Sequence, residues 1–164
     1  MNIREHPTGF WFIFWGEYAE RASFYGMKAL LVLYMIDKLG YSDADSATVA
    51  SIFTASCYIA PIIGGYVADR WLGKFRTIIY FAIPYIMGHI ILGSFETSTG
   101  LYVALALLAG GSGSVKPNIS TLMGMMYEQA GKSHLLSQAF SFFYMAINIG
   151  AASTMLTLPF IRDH

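Results

Sequence analysis

The chain has 164 residues, 55% of them hydrophobic and 16% aromatic, with only 12% charged and a formal net charge of zero. A soluble domain carries about 25% charged residues, so this composition excludes an ordinary soluble globule, and the balanced charge removes the general case for a nucleic-acid partner. The single cysteine, Cys57, excludes a disulfide framework or a cysteine-built metal site within the chain.

A helix needs roughly 20 mostly apolar residues to cross a bilayer. Five stretches reach that length in chain order: 10–39, interrupted by charges, then 48–68, 77–95, 101–126 and 137–160. The connections are short, and the stretches mostly lack the two-faced pattern of soluble helices. The expected architecture is an all-α transmembrane bundle occupying residues 1–164. The start does not read as a cleaved signal peptide: Arg4 alone supplies positive charge, and no small-residue cleavage site follows a short apolar core.

Basic residues of short loops set orientation. Arg4 precedes the first span, Arg70, Lys74 and Arg76 follow the second, and Lys132 follows the fourth. The first loop offers Lys38 among Asp37, Asp43 and Asp45, and the third has no basic residue. This asymmetry predicts a multi-pass protein of the cell (inner) membrane with a cytoplasmic N-terminus. The fifth span would then end outside, at Arg162, Asp163 and His164. Ending on an odd-numbered span suggests one part of a longer polypeptide, with a second bundle beyond it.

Small and helix-breaking residues recur inside the spans: Pro61, Gly64, Gly65, Pro84, Gly88, Gly110, Gly111, Gly113, Pro117 and Gly150. Close helix packing explains most such positions, and hinges of a moving bundle are the functional alternative.

The first span holds charges that insertion disfavours. Glu20 and Arg21 lie three and four positions beyond Glu17, and Lys28 lies seven beyond Arg21. Helical spacing puts them on one stripe, with Phe24 and Tyr25 between. A central charge costs about 2.5 to 3.5 kcal/mol on insertion scales, so the stripe must face a bundle interior or a wet cavity. A self-neutralising packing device is the bland alternative, but four charges exceed what packing specificity needs.

The fourth span repeats the anomaly with Lys116, in Ser112-Gly113-Ser114-Val115-Lys116-Pro117-Asn118. It lies too far from either end to snorkel, so it needs a partner or a substrate anion. Gly110 to Lys116 is not a phosphate loop, because the glycine before the lysine and the soluble strand context are both missing. Asn118-Ile119-Ser120 falls inside a span and is a poor glycosylation acceptor. Tyr58 and Asn148 are quieter candidates for lining the same cavity, and His89 reads as a satisfied packing residue. The four histidines are scattered without metal-ligand spacing.

Together these residues resemble the proton-dependent oligopeptide transporter family of the major facilitator superfamily. The resemblance rests on Glu17-Tyr18-Ala19-Glu20-Arg21 continuing through Phe24-Tyr25-Gly26 to Lys28, and on Gly64-Gly65-Tyr66-Val67-Ala68-Asp69-Arg70-Trp71-Leu72-Gly73-Lys74. It continues through Val115-Lys116-Pro117-Asn118 and Phe143-Tyr144-Met145-Ala146-Ile147-Asn148-Ile149-Gly150. Three positions depart from the family's usual pattern: Ala22 stands where Phe is common, Phe24 where Tyr is common, and Lys28 where many peptide carriers have Arg.

The resemblance implies two six-helix bundles alternating around a central cavity, this chain supplying most of the first. It implies proton coupling through Glu17, Glu20, Arg21 and Lys116. It implies substrate contacts from Arg21, Tyr25, Lys28, Tyr58, Lys116 and Asn148, and a gating motif at Asp69 and Arg70. The implied partners are a small peptide, the lipid bilayer and the C-terminal half of the transporter. Protons are the coupling ion, with no metal or other cofactor. A substrate carboxylate arriving at Arg21 would compete with the glutamates for the cation, linking substrate to proton. The same pocket suits a second reading, a carrier of another small anion such as nitrate. A passive channel-type subunit would not need paired charges poised to exchange partners. No nucleophile–base set supports an enzyme.

Overall fold

A computed structural model describes residues 5–162, with side chains through Leu158. Arg4, Asp163 and His164, which bear on orientation, lie outside the described residues, as does the side chain of Arg162. The described residues form five long helices: α1 (Thr8–Asp37), α2 (Asp43–Val67), α3 (Lys74–Ser94), α4 (Ser98–Gln129) and α5 (Leu136–Arg162). A π-helical turn, Ala68–Leu72, extends α2, and a short 3-10 turn, Ser133–Leu135, leads into α5.

Among the described residues four helices are long and apolar enough to cross a membrane, namely α2 with its π turn, α3, α4 and α5. At 30 residues α1 has the length, about 45 Å at 1.5 Å per residue. Its charges set it apart from the other four.

Each helix starts before its apolar stretch, and at α2 and α4 a polar cap, not hydropathy, sets that start. Ser42 begins α2 by accepting the Asp45 N–H at 3.1 Å, and Thr97 does the same for the Gly100 N–H, also at 3.1 Å, at the start of α4. The segment expected to be a loop, 69–76, is mostly helical. Its break is Gly73 alone, whose φ of 76° suits a residue without a Cβ. Pro61, Pro84 and Pro117 sit inside helices without ending them, as is tolerated where neighbours satisfy the freed backbone groups.

The chain forms two compact units, one of residues Leu31–Leu122 and one joining Met1–Leu30 with Met123–His164. In the Leu31–Leu122 unit α4 is central: 56% of its apolar stretch is buried, against 22% for α2 and 17% for α3. Small residues set the spacing. A Cβ on Gly113 would strike Ala60 of α2, one on Gly64 would strike Ser114 of α4, and one on Gly88 would come 2.7 Å from Leu108. Asn118 closes the α2–α4 seam, donating from Nδ2 to the Ser114 carbonyl at 2.7 Å and to the Gly64 carbonyl at 3.3 Å. Not every glycine packs this way: Gly65 and Gly110 have no neighbouring atom within 4 Å of where a Cβ would stand.

In the other unit, α1 and α5 pack together with the end of α4. The aromatic end holds His6, Phe10 and Trp11 against Tyr127 and Phe142, with His6 Nδ1 2.5 Å from the Tyr127 hydroxyl. Lys132 donates to the Glu5 carbonyl at 2.5 Å.

Candidate transport site

Helical spacing brings Glu17, Glu20 and Arg21 of α1 together as expected. Arg21 Nε lies 3.4 Å from Glu17 Oε1, four residues earlier. The same guanidinium also bonds Glu20 Oε2, through both Nε and a terminal nitrogen. The guanidinium carbon stands 5.1 Å from the Phe24 ring centre and 5.9 Å from that of Tyr25, within range for cation–π attraction.

Glu17 and Arg21 are each only 3% exposed. Glu20 and Tyr25 are half-buried, and Lys28 is exposed. The stripe is therefore graded: its charge is sealed at Glu17 and opens toward Lys28. A desolvated charge must be paired, and within this trio two carboxylates share one guanidinium.

Helix α5 backs this part of α1 closely. A Cβ on Gly150 would lie 2.7 Å from the Tyr18 carbonyl oxygen and 3.2 Å from Arg21 Cβ. Two hydroxyls add to the seam. Thr154 donates to the Ala22 carbonyl at 2.9 Å, and the Tyr18 hydroxyl donates to Ser153 Oγ at 3.3 Å. Of the α5 residues in this seam, the sequence singles out only Gly150. The spacing Gly150-x-x-x-Thr154 is the small-residue pattern of helix contacts in membranes, and it is the signal that could have found Thr154.

The remaining sequence candidates lie on other helices. Lys116 is half-buried on α4, and Tyr58 on α2 is 78% exposed. Asn148 is exposed on α5, its Nδ2 donating to the Tyr144 carbonyl at 2.9 Å. Asp69 and Arg70 are both exposed in the π turn, where Lys74 Nζ donates to Asp69 Oδ1 at 2.5 Å. The pair that forms at this motif is thus Asp69 with Lys74, five residues on.

The POT family model, PTR2, matches residues 75–164. This chain belongs to the POT family. Its relatives within it include Peptide transporter family 1 of Drosophila melanogaster, 36% identical over 164 residues, covering 96% of this chain and 22% of that protein. Solute carrier family 15 member 2 of Rattus norvegicus is 38% identical over 166 residues, covering 96% and 23%. Among solved structures, a POT family transporter in complex with 5-aminolevulinic acid is 32% identical with a TM-score of 0.91, covering 99% of this chain and 34% of that one. A POT family transporter in complex with a thioalcohol conjugated peptide is also 32% identical, with a TM-score of 0.89, covering 96% and 33%.

This POT chain therefore spans under a quarter of the length of these two relatives and about a third of each solved chain. Its all-helical architecture is that of the transmembrane bundle of a major facilitator superfamily transporter.

Proposed function

We propose that the chain supplies the first bundle of a proton-coupled carrier of di- and tripeptides that works by alternating access. The single observation that carries this reading is the buried Arg21 guanidinium shared by Glu17 and Glu20. Its support from outside the chain is the peptide-transporter name of the Drosophila melanogaster relative and the peptide-conjugate complex of a structural neighbour.

The chemistry runs as an exchange of partners. A guanidinium binds a carboxylate with two parallel donors. A peptide's carboxylate that takes over part of Arg21 leaves a glutamate short of its counter-charge, and a proton supplies it. Binding of each is linked to the other, and the coupling is reciprocal. Protons, rather than a metal or organic cofactor, are the coupling species. Tyr25, Lys28 and Lys116 add hydroxyl and cationic contacts to the substrate, and Tyr58 and Asn148 contact its backbone. Each state of the carrier is favoured only by differential affinity for it. Asp69 and Arg70 belong to the gate rather than to the pocket.

The test uses the full-length protein in sealed vesicles. An inward pH gradient should drive accumulation of a labelled dipeptide, competed by unlabelled dipeptide and not by nitrate. Competition by nitrate alone would favour the small-anion reading, and uptake independent of the gradient would reject coupling.

A further inference from the structure

We propose that Thr154 of α5 is a positioning residue for the Arg21 cluster, holding the α1 turn that carries it through the Ala22 carbonyl. This rests on the proposed function only for its transport readout.

The geometry is specific. Ala22 follows Arg21 directly, and its carbonyl is a backbone acceptor on the turn leading toward Lys28. Thr154 Oγ1 reaches that carbonyl at 2.9 Å and the Gly150 carbonyl of its own helix at 3.1 Å, so one hydroxyl proton faces acceptors on both helices. Threonine inside a helix satisfies itself by back-bonding to its own turn. The bond across to α1 is the additional feature. The opposing residue is matched to it: a Cβ on Gly26 would stand 2.8 Å from Thr154 Cγ2. One turn earlier, Gly150 lets the α5 backbone approach Tyr18 and Arg21.

Thr154 and Gly150 thus grip α1 at Arg21 and at the turn just beyond it. Over described residues 136–158, α5 brings no charged side chain to this seam, so its influence on the cluster is positional. Arg21 has to meet two carboxylates and two rings at once, and a small slide of this turn would disturb all four contacts together. Interhelical hydrogen bonds from hydroxyls are modest in membranes, which suits adjustment of a site more than support of the fold.

The experiment compares Thr154→Val, which keeps the shape and removes the donor, with Thr154→Ser, which keeps the donor, in the full-length protein. In vesicles, Thr154→Val should raise the KM for dipeptide about fivefold with little change in maximal rate, as expected for one lost hydrogen bond. Thr154→Ser should stay within about twofold of the parent. A second readout needs no substrate: a hydrophobic carbodiimide should label Glu17 and Glu20 about fivefold faster in Thr154→Val, because Arg21 covers them less. Labelling of Asp45 should be unchanged. If the parent fails to move dipeptides, the transport reading falls while the labelling comparison still decides the role of Thr154. Equal labelling in parent and Thr154→Val, or an equal loss of maximal rate in both variants with unchanged KM, would overturn the proposal.

Discussion

Arg21 illustrates how far residue spacing reaches. Glu17 and Arg21 are four apart in a helix, and such pairs face each other without help from the rest of the protein. The ion pair at 3.4 Å is therefore legible from the sequence. The gradient of burial along the stripe is not, because it depends on which helices cover α1. Four equal charges become two sealed ones, a half-buried glutamate and an exposed lysine. Lys116 is equally legible as an anomaly, since no apolar stretch of α4 requires a cation. In the proposed carrier its ammonium helps to hold the substrate's carboxylate. Lys116→Ala should therefore lower gradient-driven dipeptide uptake about tenfold or more, the loss of one charge-assisted hydrogen bond, with the amount of protein in the membrane unchanged. Uptake within about twofold of the parent would mark Lys116 as a packing residue.

At the scale of helices, hydropathy located the five long helices and misplaced their ends. Apolar length measures how much of a helix lipid can cover, while Ser42 and Thr97 set where α2 and α4 begin and Gly73 sets where the extension of α2 ends. The stretch from Asp69 to Leu72 continues α2 as part of a π turn up to Gly73, where a loop was expected. Composition also failed to distinguish glycines that hold a seam from those that do not. Gly64 and Gly65 are neighbours in sequence, yet only Gly64 meets α4, with Ser114 Oγ 2.6 Å from its would-be Cβ. Gly64→Ala should destabilise the purified protein by about 1–3 kcal/mol, the range for overpacking, seen as a lower melting temperature in detergent. Gly65→Ala should leave the melting temperature nearly unchanged, or raise it through helix propensity. Equal melting shifts for the two substitutions would contradict the seam.

For the whole molecule, the family and the helical bundle follow from the chain itself, but a carrier needs more than this chain contains. The matched relatives are over four times longer, and in the proposed carrier the acidic groups that meet a peptide's amino end belong to the second bundle. Orientation is testable on the full-length protein. With every native cysteine, Cys57 included, replaced by serine, a cysteine at Ser42 should react with a membrane-impermeant maleimide from outside intact cells. One at Lys132 should react only after the cells are opened. The reverse pattern would invert the topology. In the proposed carrier, proton coupling rests on Glu20, the carboxylate of the Arg21 cluster that is not sealed from its surroundings. The direct measurement is Glu20→Gln in the full-length protein in vesicles. Accumulation driven by a pH gradient should be lost while dipeptide counterflow at equal pH persists. Gradient-driven accumulation at the parent's level would contradict a coupling role for this carboxylate.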